Sequence, residues 1–144
     1  MGGTALGQGR GEDLRQLPSL PPLDIVVAHP GVCLSTTEAY AALRPEQMGD
    51  GEATQAMVAA IQRRDLHAVV AGLFNVFEEN ALRRVPAISR IKTLMIENGA
   101  WNACLSGSGS SVFALAGSPT EAETIAAVVR REFPTVFVTR TRAR

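Results

Sequence analysis

Residues Leu105-Ser106-Gly107-Ser108-Gly109-Ser110-Ser111-Val112-Phe113-Ala114-Leu115 constrain this chain more than any other stretch. Small residues, two of them glycine, interrupt an apolar run that resumes at once. Glycine reaches positive φ and lets a ligand or another backbone approach closely. Consecutive N–H groups in such a turn can converge on an anion. No Lys-Ser/Thr follows at P-loop spacing, and the next segment has the pattern of a strand, which excludes the dinucleotide fingerprint. Two readings of the loop stand at this level: a tight hairpin of small residues, or a phosphate contact.

The 144 residues suffice for one domain with a real core. The formal net charge is zero and aromatic residues are few, so neither a basic patch nor a stacking platform for nucleic acid is expected. No apolar run is long enough for a bilayer. The Gly-rich N-terminus lacks the apolar segment of a signal peptide. Cys33 and Cys104 form no C-x-x-C motif, and His29 and His67 are not at metal-ligand spacing, so free thiols, no metal site and a cytoplasmic protein are expected.

Residues 1–22 are rich in Gly and Pro without a sustained period and are read as a loop or extended segment. Leu23 to Ala28 is a β-branched run ending at Pro30-Gly31, a buried strand. Ser35, Thr36 and Thr37 offer N-caps for a helix through Leu43. Pro45 to Gly51 is expected as a loop. Helical periods follow over Glu52–Arg64, Leu66–Leu73, Asn75–Arg84 and Ala87–Asn98, with Gly99 as the stop. Trp101–Leu105 and Ser111–Ala116 then form an antiparallel hairpin around the small-residue loop. Ser118-Pro119-Thr120-Glu121 has the form of a capping box with proline in the first turn. Its helix runs to about Glu132, and Thr135–Thr139 is the last strand. Arg140, Arg142 and Arg144 are read as a solvated tail. The pattern predicts an α+β domain with helices on one face of a four-stranded, mostly antiparallel sheet.

Four stretches together resemble the C-terminal half of the 4-diphosphocytidyl-2-C-methyl-D-erythritol kinases, within the GHMP kinase superfamily. They are Gly2-Gly3-Thr4-Ala5-Leu6-Gly7 with Gly9-Arg10-Gly11-Glu12; His29-Pro30-Gly31-Val32 with Ser35-Thr36; Asn75-Val76-Phe77-Glu78 with Pro86; and the glycine-rich loop from Leu105 to Leu115. Their order and spacing agree over essentially the whole chain. The resemblance implies a ferredoxin-like GHMP kinase C-terminal domain over 23–144, preceded over 1–22 by the end of an N-terminal kinase domain and its linker. It implies an enzyme that passes the γ-phosphoryl of ATP, with Mg2+, to the 2-hydroxyl of its substrate in non-mevalonate isoprenoid synthesis.

Carried to these positions, the resemblance places Gly107, Ser108 and Gly109 in a loop that supports the ATP-phosphate loop, and Thr36 facing the substrate. Asn75 and Glu78 are read as a helix start, Asn as a cap and Glu favoured by the helix dipole. Val76 stands where the family usually has an acidic residue. His29 is read as a turn residue. The family's main ATP loop, lysine and catalytic aspartate match nothing here, and Lys92 is expected to face solvent. No catalytic residue is therefore assigned, and no tightly bound cofactor is expected. The chain is expected to be inactive alone, with the missing N-terminal domain or a second copy of itself as partner. The alternative is a stand-alone ferredoxin-like domain that binds a small molecule or regulates a partner.

Overall fold

A computed structural model describes residues 3–9 and 11–142. Met1, Gly2, Arg10, Ala143 and Arg144 lie outside the described residues, and with them parts of the first matched stretch and of the expected basic tail. The main sheet holds β3 (Asp24–His29), β4 (Asn102–Leu105), β5 (Val112–Ala116) and β6 (Thr135–Arg140) in the order β4-β5-β3-β6. Every neighbouring pair is antiparallel. Helix α6 (Pro86–Glu97) precedes β4, and α7 (Pro119–Val129) joins β5 to β6. The chain order β-α-β-β-α-β, with the last strand beside the first, is the ferredoxin-like split βαβ arrangement.

Alternation sets the faces of the sheet. Val26, Ala28, Val112, Ala114 and Val136 point to the helical side and are buried. Ile88, Ile91 and Met95 line one stripe of α6, Ile125 and Val129 one stripe of α7, and all belong to the same apolar cluster. Phe137, on the opposite face of the sheet, is exposed. Asp24 is buried at the start of β3, and Arg140 lies 3.4 Å from its carboxylate. Arg140 is thus part of β6 and paired, which corrects its assignment to a solvated tail.

The β3–α6 crossover carries an insertion of five helices: α1 (Thr36–Ala41), α2 (Pro45–Met48), α3 (Glu52–Gln62), α4 (Leu66–Ala71) and α5 (Glu78–Arg84). α2 falls where a loop was expected. Pro45 opens it, and the Gln47 side chain accepts from the Arg44 N–H. The N-terminal segment also differs from expectation, since β1 (Ala5–Gln8) and β2 (Asp13–Gln16) pair as an antiparallel hairpin. Leu17 just after it is buried with Val58, Ile61 and Val69 of α3 and α4, a small cluster apart from the main core. No helix among the described residues is long and apolar enough to cross a membrane.

Candidate functional site

The small-residue loop closes the β4–β5 hairpin at the end of the sheet where the insertion begins. Ser106 N donates to Ser111 O at 2.9 Å and Gly109 N to Ser106 O at 3.0 Å, which makes a tight turn. Gly107 and Gly109 have φ of 56° and 90°, the region that disfavours side chains. A Cβ on Gly109 would stand 3.1 Å from a Leu105 methyl and 3.3 Å from a Leu34 methyl, while one on Gly107 would meet nothing. Ser106 and Gly107 are exposed, Ser108 and Gly109 half-buried. The N–H groups of Gly107 and Ser108 have no partner among the described residues.

Three segments of the insertion hold this loop. At the first, Ser35 caps α1 by accepting from Glu38 N, so Thr36, the first helical residue, has its hydroxyl free of capping. That hydroxyl lies 3.0 Å from the Ser108 hydroxyl. At the second, Ser110 is buried and its Oγ donates to Val32 O. His29 Nδ1 accepts from Gly31 N at 3.0 Å, which leaves Nε2 as the protonated nitrogen, 3.3 Å from Ser110 Oγ. His29 is thus the last residue of β3, paired with Thr135, which corrects its reading as a turn residue, and its side chain steadies the Gly31 turn and the loop.

At the third, Asn75 Oδ1 accepts from Phe77 N at 2.9 Å, closing a turn ahead of α5, whose N-cap is Phe77 without a side-chain cap bond, which corrects the expected capping by Asn75. Its Nδ2 also reaches the loop, donating to Leu105 O and Gly107 O, each at 2.8 Å. Glu78 Oε2 accepts from Leu105 N at 2.8 Å. Its other oxygen pairs with Lys92, and both side chains are largely buried. Lys92 is thus an inward, partnered cation, correcting the expectation that it faces solvent. These roles of Asn75, Glu78 and Lys92 were absent from the sequence reading. Beside them lies a cleft of about 450 Å3 reached by Phe74, Val76, Asn102 and Cys104.

Cys104 sits under this cluster. Burial pushes its thiol up to about 11, with the charge and hydrogen bond of Glu78 adding to the rise. Cys33 is exposed, and both cysteines are free. A thiol reagent at pH 8 should therefore add once to the folded chain, at Cys33, and twice in denaturant, counted by intact mass. The sign for stability follows from linkage. The buried thiol's contribution is complete below the unfolded thiol pKa of ~8.5 and is lost as pH rises toward the folded value.

Among the described residues no group of three or more His, Cys, Asp or Glu is placed to hold a metal ion. The loop offers two unpaired N–H groups and two hydroxyls, a donor set that fits phosphate oxygens and does not fit a divalent cation.

The chain belongs to the GHMP kinase C-terminal family, whose profile ("GHMP kinases C terminal") matches residues 57–135. Within that class it is homologous to the C-terminal half of 4-diphosphocytidyl-2-C-methyl-D-erythritol kinases. The enzyme of that name from Pelotomaculum thermopropionicum is 40% identical over 141 residues, covering 98% of this chain and 49% of the relative. A crystal structure of 4-(cytidine 5'-diphospho)-2C-methyl-D-erythritol kinase superposes with a TM-score of 0.78 at 30% identity, over 96% of this chain and 50% of that one. Homoserine kinase from Cytophaga hutchinsonii superposes with a TM-score of 0.77 at 22% identity, over 99% and 49%, a likeness of fold alone. The chain thus spans about half the length of the curated relatives it matches.

Proposed function

We propose that this chain is the supporting lobe of an ATP-dependent kinase that phosphorylates the 2-hydroxyl of 4-diphosphocytidyl-2-C-methyl-D-erythritol. The observation that carries the reading is the Gly107–Gly109 loop, exposed on one side, with two N–H groups that have no partner among the described residues and the Ser108 and Thr36 hydroxyls beside them. Phosphoryl transfer is largely positioning and charge neutralisation, and donors of this kind serve both. In this reading the Gly107 and Ser108 amides donate to phosphate oxygens. Ser108 and Thr36 share a proton between their oxygens and leave the other hydroxyl proton free to donate to substrate. ATP, when bound, supplies the transferred group, and Mg2+ the neutralising charge.

The kinase's main phosphate loop, its cation and its base come, in this proposal, from a segment outside these 144 residues, in the same polypeptide or a partner chain. Lys92 does not stand in for the cation, because Glu78 already neutralises it. The test is to mix the purified chain with the N-terminal half of the Pelotomaculum kinase, ATP and the diphosphocytidyl alcohol, and to follow phosphorylated product. No turnover is expected from the chain alone, and turnover should appear with both halves. Product from the chain alone at a complete enzyme's rate, or a stable but inactive complex, would overturn the proposal. Tight binding of a small molecule by the chain alone would favour the stand-alone binding domain instead.

A further inference from the structure

We propose that Asn75 is a positioning residue that sets the direction of the Ser108 N–H, with Glu78 and Lys92 anchoring the strand from which the loop springs. β4 is an edge strand, and an edge ordinarily presents unpaired N–H and C=O groups. Here the end of that edge is met by side chains from one short segment. Glu78 takes Leu105 N, and Asn75 takes Leu105 O and Gly107 O. A primary amide nitrogen carries two protons on a single atom, which suits two converging carbonyls. Aspartate, with acceptors only, cannot replace it.

Planarity turns this grip into orientation. In a trans peptide the C=O and the following N–H point in opposite directions. Leu105 O is drawn to Asn75, and the next amide, Ser106 N, accordingly points across the hairpin to Ser111 O at 2.9 Å. Gly107 O is drawn to the same nitrogen, so Ser108 N–H must point away from Asn75. That amide has no partner among the described residues and belongs to the residue whose hydroxyl meets Thr36. Gly107, at φ 56°, has the freedom to let this peptide rotate if Gly107 O is released. Asn75 removes that freedom. At the same time its Oδ1 accepts from Phe77 N, so the loop and the turn leading into α5 are held by one side chain.

The effect on ATP rests on the kinase reading above, whereas the effect on the loop does not, and the experiment separates them. Asn75→Asp keeps the acceptor for Phe77 N and loses both donors, and Asn75→Ala loses everything. In the first arm, amide hydrogen exchange of the full chain is read by NMR at Ser106 and Gly109, with β3 and α7 amides as reference. Asn75→Asp should speed exchange at Ser106 and Gly109 by about tenfold or more and leave the reference amides within about twofold. In the second arm, the reconstituted kinase carrying Asn75→Asp should show a KM for ATP raised by about tenfold with kcat nearly kept.

Unchanged loop protection, or protection lost equally in β3 and α7, would overturn the proposal, the latter because it marks a merely structural role. A loosened loop with an unaltered KM in an active reconstituted enzyme would also overturn the positioning role, while leaving the kinase reading in place. If the unmodified halves bind each other and make no product, the kinase reading falls, and the exchange arm alone decides whether Asn75 orients the loop.

Discussion

Ile91→Ala should cost about 3 kcal/mol and lower the melting temperature by roughly 10 °C, among the largest losses expected from a single truncation in the main core. Ile91 has no exposed surface, and its neighbours on the same stripe of α6, Ile88 and Met95, have none either. The stripe packs on β4 and β5, whose inward residues include Ala103, Val112 and Ala114. Several of those partners are already small, so they cannot move in to fill the space, and the cavity cost adds to the lost transfer energy. The control is Phe137→Ala. Phe137 is larger but 62% exposed on the opposite face of the sheet, and its loss should shift the midpoint far less. Thermal denaturation followed by circular dichroism checks both. Ile91 also precedes Lys92, so a shift of α6 should disturb the pairing beneath the loop before the sheet itself melts.

The architecture around Ile91 was legible in the sequence because its signals are short-range. A period of three and four residues placed Ile88, Ile91, Leu94 and Met95 on one face, and all four are buried. Ser118-Pro119-Thr120-Glu121 announced a capped helix, and Ser118 does accept from Glu121 N. The box is imperfect, since Glu121 reaches back to Gly117 N rather than to Ser118 N. The N-terminal hairpin gave no such signal. Apart from a half-buried Leu6, the residues of β1 and β2 are exposed, so no alternating buried face marked them as strands.

The site was legible in its loop and hidden in its support. Gly107, Ser108, Gly109 and Thr36 stand out by composition and resemblance, and the fold brings Thr36 to Ser108 across 72 positions of sequence. Asn75 and Glu78 are as suitable for starting a helix as for holding a distant strand, and the dipole rewards the first role whether or not the second exists. Only tertiary packing brings them to Leu105, which lies 30 and 27 positions away. Lys92 follows a buried residue and precedes an exposed one, so periodicity placed it on the flank of α6 and could not say which way a flexible side chain would turn.

Glu78→Ala should cost about 2 kcal/mol, less than a fully buried pair would because both side chains retain some exposure. The loss has two parts, and substitutions separate them. Glu78→Gln keeps an acceptor for Leu105 N but leaves the Lys92 ammonium without its partner. Lys92→Met leaves a carboxylate that still accepts from Leu105 N. The double substitution Glu78→Gln with Lys92→Met removes both charges, keeps the acceptor, and fills the Lys92 stem volume with an apolar chain. It should therefore be more stable than Glu78→Gln alone, with a coupling energy of about 1 kcal/mol in denaturant titrations. The Cys104 thiol supplies an independent reading of the same charge. Removing the Glu78 carboxylate should bring its titration down from about 11 toward the ordinary thiol range, while burial, the larger cause, keeps it raised. A double variant no more stable than Glu78→Gln would mean that the pair contributes nothing through charge, and that Glu78 acts on the loop strand solely as the acceptor for Leu105.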